Sequence, residues 1–310
     1  MSYSPARTAL LALSAAASLV ATGCSEPLES TADSVAEPAG EVVDDAPIEA
    51  QQVTPTSPTA PAAPTAPAPA APGASHCAVA TITPELRAER KINSWYQKYA
   101  SVDGVLILSS GKPPDKTVQM ACEIVAHLTS KHPESRAALV KAKSNFAMIA
   151  ATEKTTDPPE YRSLPDYYNT RARGLGGQLG LCAEESIMCD RTKDRWFGES
   201  ICVHEYAHTI SIYGFYAGIP GFHAKLTAAY KASRQKNLWA STYAAENEQE
   251  YWAEGVQSFY YTNLESARPN GVHGPINTRE ELQTYDPALY ELVADTLPAE
   301  MNFPDCYRRK

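Results

Sequence analysis

The sequence predicts a mixed α+β domain over about residues 77–310, with a small sheet and helices in its N-terminal part and a mostly helical C-terminal part. Three observations predict it. Two apolar runs, Val105–Leu108 and Phe146–Ala150, have the length of buried strands. An apolar stripe with the 3.6-residue period of a helix lies between them. From about residue 199 onward, two long segments have helical character. The stripe consists of Val118, Ala121, Cys122, Val125 and Leu128.

The first 23 residues have the pattern of a secretory signal peptide. Arg7 supplies the positive charge, and the apolar run that ends at Ala21 is shorter than the ~20 residues that span a bilayer. Cys24 follows two small residues, which resembles a bacterial lipobox, in which the cysteine is lipidated and becomes the mature N-terminus. Because Ala21 stands where leucine is usual, plain cleavage and secretion is the alternative. We expect an exported cell-envelope lipoprotein that is held to the membrane through Cys24.

Residues 24–76 are expected to be the lipidated N-terminus and a linker. Acidic and small residues come first, and residues 53–72 are nearly all Pro, Ala and Thr. Such a segment has no apolar period to bury and is expected to be extended and disordered. This composition suits a tether between an anchor and a folded domain. A cleaved pro-segment is the alternative.

Six cysteines lie in the predicted domain, in addition to Cys24. An even number in an exported chain indicates disulfides rather than metal sites. Six cysteines allow 15 connectivities, between which the sequence does not choose. Cys182 and Cys189 are close enough in sequence for a local pair. The six are Cys77, Cys122, Cys182, Cys189, Cys202 and Cys306.

Sequence patterns typical of helix starts lie near both ends of the domain. Thr83 followed by Pro84 predicts a helix start, with the helix running to about Tyr99. Asp115 is expected to cap the helix that carries the apolar stripe. Near the C-terminus, the Thr278-x-x-Glu281 pattern is a capping box. Asp286-Pro287 starts a last helix through about Thr296, and His273, in a Gly/Pro loop, is expected to be exposed.

The pattern H-E-x-x-H lies in a helix that we expect to span about residues 199–213, with Gly214 as its C-terminal cap. His204 and His208 stand at i and i+4, so both imidazoles leave the same helix face. That geometry suits two nitrogen ligands on one Zn²⁺, with Glu205 beside the open coordination position. The alternative is a surface helix with two unrelated histidines.

A carboxylate is expected as the third ligand. Position 214 is glycine, which excludes a third histidine at the metzincin spacing, and His223 matches no ligand pattern. Glu250 and Glu254 lie at i and i+4 on one face of the second long helix, among apolar side chains. One of them can bind zinc while the other accepts a hydrogen bond from a ligand imidazole. Their spacing alone does not decide which does which.

A glycine-rich stretch precedes the histidine helix. Gly174, Gly176 and Gly177 come before the apolar residues from Leu179. Glycine in a strand marks a bulge or a close backbone approach. We therefore expect an edge strand along the site, to which a peptide substrate can add as a further strand. An ordinary glycine-rich loop is the alternative.

Together these motifs resemble the gluzincin metallopeptidases of the anthrax lethal factor and Pro-Pro endopeptidase type. The resemblance rests on H-E-x-x-H at 204–208, Tyr243, Asn247, and E-x-x-A-E from Glu250 to Glu254. It implies a zincin-like fold in which Glu250 binds zinc and Tyr243, seven residues earlier, lies over the reacting centre. Glu254 would then support a ligand imidazole. The cysteines and the lipoprotein start depart from the family, so its substrate preference is not carried over.

The sequence therefore predicts a zinc-dependent peptidase with one Zn²⁺ per chain, acting on a peptide or protein in a cleft between the two parts of the domain. Glu205 is the expected general base, and Tyr243 the expected donor to the oxyanion. The alternative is a surface-anchored zinc-binding protein without proteolytic activity. Glu205 argues against it, because a structural zinc site has no use for a base. The net charge of −9 lacks the electrostatic footprint of a nucleic-acid-binding protein.

Overall fold

The computed structural model describes residues 77–300. The predicted signal peptide, Cys24, the linker and Cys306 lie outside the described residues. The described chain is mixed α+β and contains a six-stranded sheet. The strands are β1 Ala80–Thr81, β2 Lys98–Val102, β3 Val105–Ser109, β4 Asn145–Ile149, β5 Gly174–Leu175 and β6 Leu179–Ala183. The helices are α1 Pro84–Arg90, α2 Asp115–Leu128, α3 Glu134–Lys141, α4 Tyr168–Arg171, α5 Glu184–Ile187, α6 Ile201–Ile210, α7 Tyr216–Gly218, α8 Phe222–Gln235, α9 Glu248–Phe259, α10 Arg279–Tyr285 and α11 Pro287–Thr296.

The sheet has the strand order β1-β2-β3-β4-β6-β5. β3, β4 and β6 run parallel to one another, and the other neighbours are antiparallel. Every residue of β3 and β6 is buried, as expected for parallel strands that are covered on both faces. Val105 and Ile107 belong to one apolar cluster, with α2 and α6, while Leu106 and Leu108 belong to the cluster on the other face. Both predicted strands are confirmed.

The glycine-rich stretch forms the edge strand that the sequence predicts. β5 pairs with β6 at the end of the sheet, and α6 packs directly on both strands. A Cβ atom at Gly174 would lie 2.5 Å from the side chain of Ile201, and one at Gly180 would lie 2.7 Å from the hydroxyl of Thr209. The glycines therefore allow the strand backbone to touch the helix.

Two disulfides join elements of the described chain. Cys77–Cys122 ties the start of the domain to α2, and Cys182–Cys202 ties β6 to the first turn of α6. The predicted Cys182–Cys189 pair is wrong, because the contact between β6 and α6 brings the Cα atoms of Cys182 and Cys202 to 5.1 Å. Cys189 is itself disulfide-bonded.

Two predictions near the start of the domain need correction. α1 begins as expected, with the Thr83 side chain accepting a hydrogen bond from Leu86, but it ends at Arg90 because Lys91 adopts a left-handed conformation (φ 53°). The segment expected to continue it instead supplies β2. Asp115 is not a cap: it lies in the first turn of α2, and its carboxylate is 2.7 Å from the ammonium of Lys98.

The histidine helix starts near residue 199 as predicted, but it does not end at residue 213. Ser200 is its N-cap, and its last turn continues as a π turn, Ser211–Phe215, into α7. Gly214 is therefore not a terminal cap. A Cβ atom at this position would lie 3.3 Å from Leu139 and 3.4 Å from the Ser135 carbonyl oxygen. Glycine is needed here for close packing against α3, not for a helix end.

The C-terminal part of the described chain is helical. The capping box of Thr278 and Glu281 is present, with both of its reciprocal side-chain-to-backbone hydrogen bonds. α11 starts and ends as predicted. α9 packs against α6, α10 and α11, which places it at the centre of this region. None of the helices in residues 77–300 has the length and apolarity needed to cross a membrane.

Candidate metal centre

α6 directs two imidazoles to one point. The Ser200 hydroxyl accepts a hydrogen bond from the Val203 N–H and so fixes the helix start. His204 and His208 follow on one face, both buried, with their Nε2 atoms 3.0 Å apart. The two rings meet edge to face, with centroids 4.7 Å apart.

α9 brings a carboxylate to the same point. The side chain of Asn247 accepts hydrogen bonds from the N–H groups of Gln249 and Glu250 and fixes the start of this helix. The Oε2 atom of Glu250 lies 3.0 Å from Nε2 of His204 and 3.2 Å from Nε2 of His208. Within residues 77–300, these three side chains are the group able to hold a metal ion, with ligand atoms all within 4.8 Å of one another.

This donor set fits zinc. Two imidazole nitrogens and one glutamate oxygen are the protein ligands of a catalytic Zn²⁺ site that leaves its fourth position open. Burial alone would raise the pKa of Glu250, but the imidazoles of His208 and His204 lower it to about 2. Burial would lower the pKa of His204, and its hydrogen bond with Glu250 raises it to about 10. Burial lowers the pKa of His208 and so favours its neutral form, the form in which an imidazole nitrogen can bind a metal.

Glu205 is a fully buried carboxyl group beside the backbone of Gly176. Its side chain is 0% exposed, and neither of its oxygens has a hydrogen bond within the described chain. Burial raises its pKa well above the ordinary value. A Cβ atom at Gly174 would lie 2.7 Å from its Cγ, so the edge strand covers it closely. Buried polar atoms without a hydrogen bond are uncommon in folded proteins, which distinguishes this carboxyl group from the other glutamates around the centre.

Tyr243 lies beside the centre. It begins a single 3-10 turn, Tyr243–Ala245, that directly precedes α9, and it is buried. Its ring is nearly parallel to that of His204, at 24° and a centroid distance of 6.3 Å. Its N–H donates to the carbonyl of Val272 at 2.8 Å, which fixes the position of the turn.

Behind His204, the structure places a residue that sequence reasoning missed. The Nδ1 atom of His204 lies 2.7 Å from Oε1 of Gln257. Glu254, the expected partner, is 3.6 Å away and accepts a hydrogen bond from Asn263 instead. Burial raises the pKa of Glu254 to about 7. The signal for Gln257 was its spacing, three residues after Glu254 and seven after Glu250, which places all three on one helix face.

The other histidines of residues 77–300 do not join the centre. The prediction that His273 is exposed is wrong: it is 4% exposed, and its Nε2 lies 3.7 Å from Oε1 of Glu199. Burial lowers its pKa to about 4. The exposed His223 stacks on Tyr216 at 3.9 Å and contacts Glu248 at 2.9 Å.

Comparison with known proteins finds no relative of this chain. No family model matches the chain, and neither a curated protein nor a solved structure shows significant similarity to it.

Proposed function

We propose that this chain is a zinc-dependent peptidase with a zincin-like fold of the gluzincin type. One observation carries the proposal: His204, His208 and Glu250 converge within 4.8 Å, next to a fully buried glutamate without a hydrogen-bond partner in the described chain. The first three side chains make the ligand set. Glu205 supplies the base that hydrolysis needs. The motif resemblance to lethal-factor-type gluzincins supports the same assignment.

The residues divide the chemistry between them. A bound Zn²⁺ would lower the pKa of a coordinated water toward about 7 and polarise a carbonyl group. Glu205 takes a proton from the attacking water and gives it to the leaving amine. Tyr243 donates a hydrogen bond to the oxygen on which negative charge develops. Its position over the His204 ring, fixed by the bond from its N–H to Val272, supports this role.

The edge strand is the proposed docking site for a peptide. Within residues 77–300, β5 pairs with β6 alone; its Gly174 lies directly against Glu205, and Gly176, just after the strand, lies against His208. An extended peptide that adds to such an edge makes main-chain hydrogen bonds regardless of its sequence. The peptide bond would then lie within reach of the buried glutamate.

A zinc-binding protein without proteolytic activity is the competing function. A structural zinc site takes four protein ligands, whereas the described chain brings three together here. A structural site also has no use for a buried glutamate beside its ligands. Both points favour the peptidase.

The first prediction tests the function directly. Purified chain is expected to hold one Zn²⁺ and to digest a peptide library, with activity lost on chelation and restored by zinc. Glu205→Gln is expected to retain zinc and to lose turnover by about 10²–10⁴-fold, the usual contribution of a general base. Metal content and cleavage rates are measured on the same samples.

Glu246→Gln is the matched control for that variant. Glu246 is an exposed glutamate outside the ligand set, so its substitution is expected to leave both zinc content and turnover near wild type. Undiminished turnover in Glu205→Gln would contradict the mechanism. A zinc-loaded wild type that cleaves no peptide would favour the zinc-binding protein.

We also infer that the chain is exported. Disulfides form and persist in oxidising compartments, and the described chain contains Cys77–Cys122 and Cys182–Cys202. We further propose that the exported chain is attached to a membrane through Cys24.

A further inference from the structure

Gln257 makes two hydrogen bonds that join the two ligand-bearing helices. Its Oε1 lies 2.7 Å from Nδ1 of His204, and its Nε2 donates to the carbonyl of Ser200 at 3.0 Å. Ser200 is the N-cap of α6, so one side chain from α9 contacts both the start of the histidine helix and the first histidine on it. Gln257 is 0% exposed, so water does not compete for these bonds.

The acceptor on Ser200 fixes the orientation of the amide. A backbone carbonyl only accepts hydrogen bonds, so the NH₂ group of Gln257 must face Ser200. The amide oxygen therefore faces His204, and an amide oxygen also only accepts. It follows that Nδ1 of His204 carries a hydrogen and donates it. The lone pair that remains for a metal is on Nε2, the atom that faces Glu250 and His208.

Glu254 does not satisfy the same ring nitrogen. Its nearer oxygen is 3.6 Å from Nδ1, beyond hydrogen-bond distance, and its other oxygen accepts from Asn263 at 2.9 Å. The partner of His204 is thus a neutral amide. A carboxylate partner would raise the basicity of the imidazole, whereas an amide sets the tautomer with less effect on basicity.

We propose that Gln257 is the positioning residue of the metal centre: it locks His204 as the Nδ1–H tautomer with Nε2 free for the metal. The proposal rests on metal binding by the proposed peptidase site, not on proteolysis. Gln257 contacts Nδ1 of His204 and not the ligand atom Nε2. It acts through the ring of His204.

The test compares two glutamines of α9 in the full chain. Gln257→Leu removes the amide at similar volume, and it is expected to weaken Zn²⁺ affinity by about 10–100-fold, as loss of such a partner typically does. Gln249→Leu is the matched control. Gln249 also makes side-chain hydrogen bonds, to Ser211 and Tyr216, but none to His204. Its variant is expected to bind zinc as the wild type does. Affinity is measured by competition with a chromophoric chelator.

A spectroscopic readout separates positioning from packing. In the zinc-loaded, ¹⁵N-histidine-labelled wild type, the ring of His204 is expected to give a slowly exchanging Nδ1–H resonance, because that hydrogen is buried and bonded. Gln257→Leu is expected to lose it through exchange with water. Gln257→Glu keeps an acceptor at this place, so the resonance is expected to return and the affinity to recover toward wild type.

Each outcome either supports or overturns the positioning role of Gln257. Unchanged affinity in Gln257→Leu, or a retained Nδ1–H resonance there, overturns the proposal. If Gln257→Leu does not fold, a wild-type spectrum in which His204 lacks the Nδ1–H resonance overturns it equally, and recovery in Gln257→Glu supports it. A chain that binds zinc in this manner but cleaves no peptide would refute the proposed function and leave the role of Gln257 standing, since neither readout uses turnover.

Discussion

Glu250 and Glu254 stand one helical turn apart on α9, yet they meet different surroundings. Glu250 faces two imidazole nitrogens at 3.0 and 3.2 Å, and its carboxylate is held ionised. Glu254 faces the far side of His204 and the amide of Asn263. Two glutamates at i and i+4 on one helix thus differ in their roles because they contact different neighbouring side chains.

This difference gives a prediction at the scale of single residues. Glu250→Ala is expected to lose zinc outright, because it removes one of three ligands. Glu254→Ala is expected to keep a weakened site, with affinity reduced by about 10-fold or less, because the hydrogen bond from His204 to Gln257 remains. Zinc content and affinity of the two purified variants are the measurement. An empty Glu254→Ala together with a loaded Glu250→Ala would reverse the two roles.

At this scale, helical periodicity predicted which residues share a helix face. It placed His204 beside His208, and Glu250 on the face of Glu254. It did not reveal the burial of His273, because that depends on where the loop of residues 270–274 docks. The side chain of Asn270 turns this loop by accepting from the N–H groups of Val272 and His273. Such a loop has no period from which burial can be read.

At the scale of elements, the glycine-rich segment and the histidine helix pack closely because glycine has no side chain at their points of contact. Gly176 shows this most directly, because a Cβ atom there would lie 2.6 Å from Cβ of His208 and 3.0 Å from its ring. Either the strand or the histidine would have to move. The geometry of the metal centre therefore depends on a residue that contributes no functional group.

Gly176→Ala is accordingly expected to reduce zinc affinity and to destabilise the fold by about 1–3 kcal/mol, as overpacking usually does. Gly111→Ala is the control, since its nearest neighbour would be Gln97 at 3.9 Å, an ordinary contact. Zinc competition and chemical unfolding of both variants test this. Wild-type affinity in Gly176→Ala would show that the strand backbone moves freely away from α6.

The Cys182–Cys202 disulfide holds the same two elements together covalently. In a chain-entropy estimate, removing a cross-link with a sequence separation of 20 residues costs about 3 kcal/mol. Cys202 is two residues before His204, so the double variant Cys182→Ala/Cys202→Ala is also expected to bind zinc more weakly. Stability is read from denaturant unfolding, and affinity from chelator competition.

The other disulfide provides the comparison. The Cys77→Ala/Cys122→Ala variant opens a separation of 45 residues and is expected to lose about 4 kcal/mol of stability with little change in zinc affinity. If both double variants weaken zinc binding equally, the effect is one of general stability and not of the β6–α6 contact.

Element boundaries show where sequence reasoning stopped. Strong local signals, such as the capping box of α10 and the Asp-Pro start of α11, were sufficient. The end of α1 was not, because it depends on the pairing of Lys98–Val102 with β3, which a local signal does not show. The π turn after α6 was missed for a similar reason. Gly214 reads as a helix end, but its lack of a side chain serves a contact with α3, a distant part of the sequence.

At the scale of the whole molecule, membrane attachment through the proposed anchor at Cys24 is expected to be independent of zinc binding. One acyl chain alone holds a protein only weakly, so stable attachment would need the several chains of a bacterial lipoprotein. Cys24→Ser is expected to release the protein into the soluble fraction without loss of zinc binding. Fractionation, together with the mass of the N-terminal peptide, tests this. A soluble wild type with an unmodified N-terminus would contradict the anchor.

The pairing of cysteines is the part of the whole-molecule plan that the sequence left open. Fifteen connectivities were possible for six cysteines, and nearness in sequence favoured the wrong partner for Cys182. Nearness in space decided otherwise, because the β6–α6 contact forms between residues that are 20 positions apart. A pairing of this kind is a property of the tertiary fold.

The buried carboxyl group of Glu205 also affects how this sequence can change over time. Its oxygens have no hydrogen bond by distance and angle within residues 77–300, so apolar substitutions of similar volume at this position are expected to raise the melting temperature. Random drift under selection for solubility alone would remove Glu205 early, while selection for turnover would keep it. A homologue with both histidines and Glu250 but an apolar residue at this position would record a lineage that kept the scaffold and gave up the reaction.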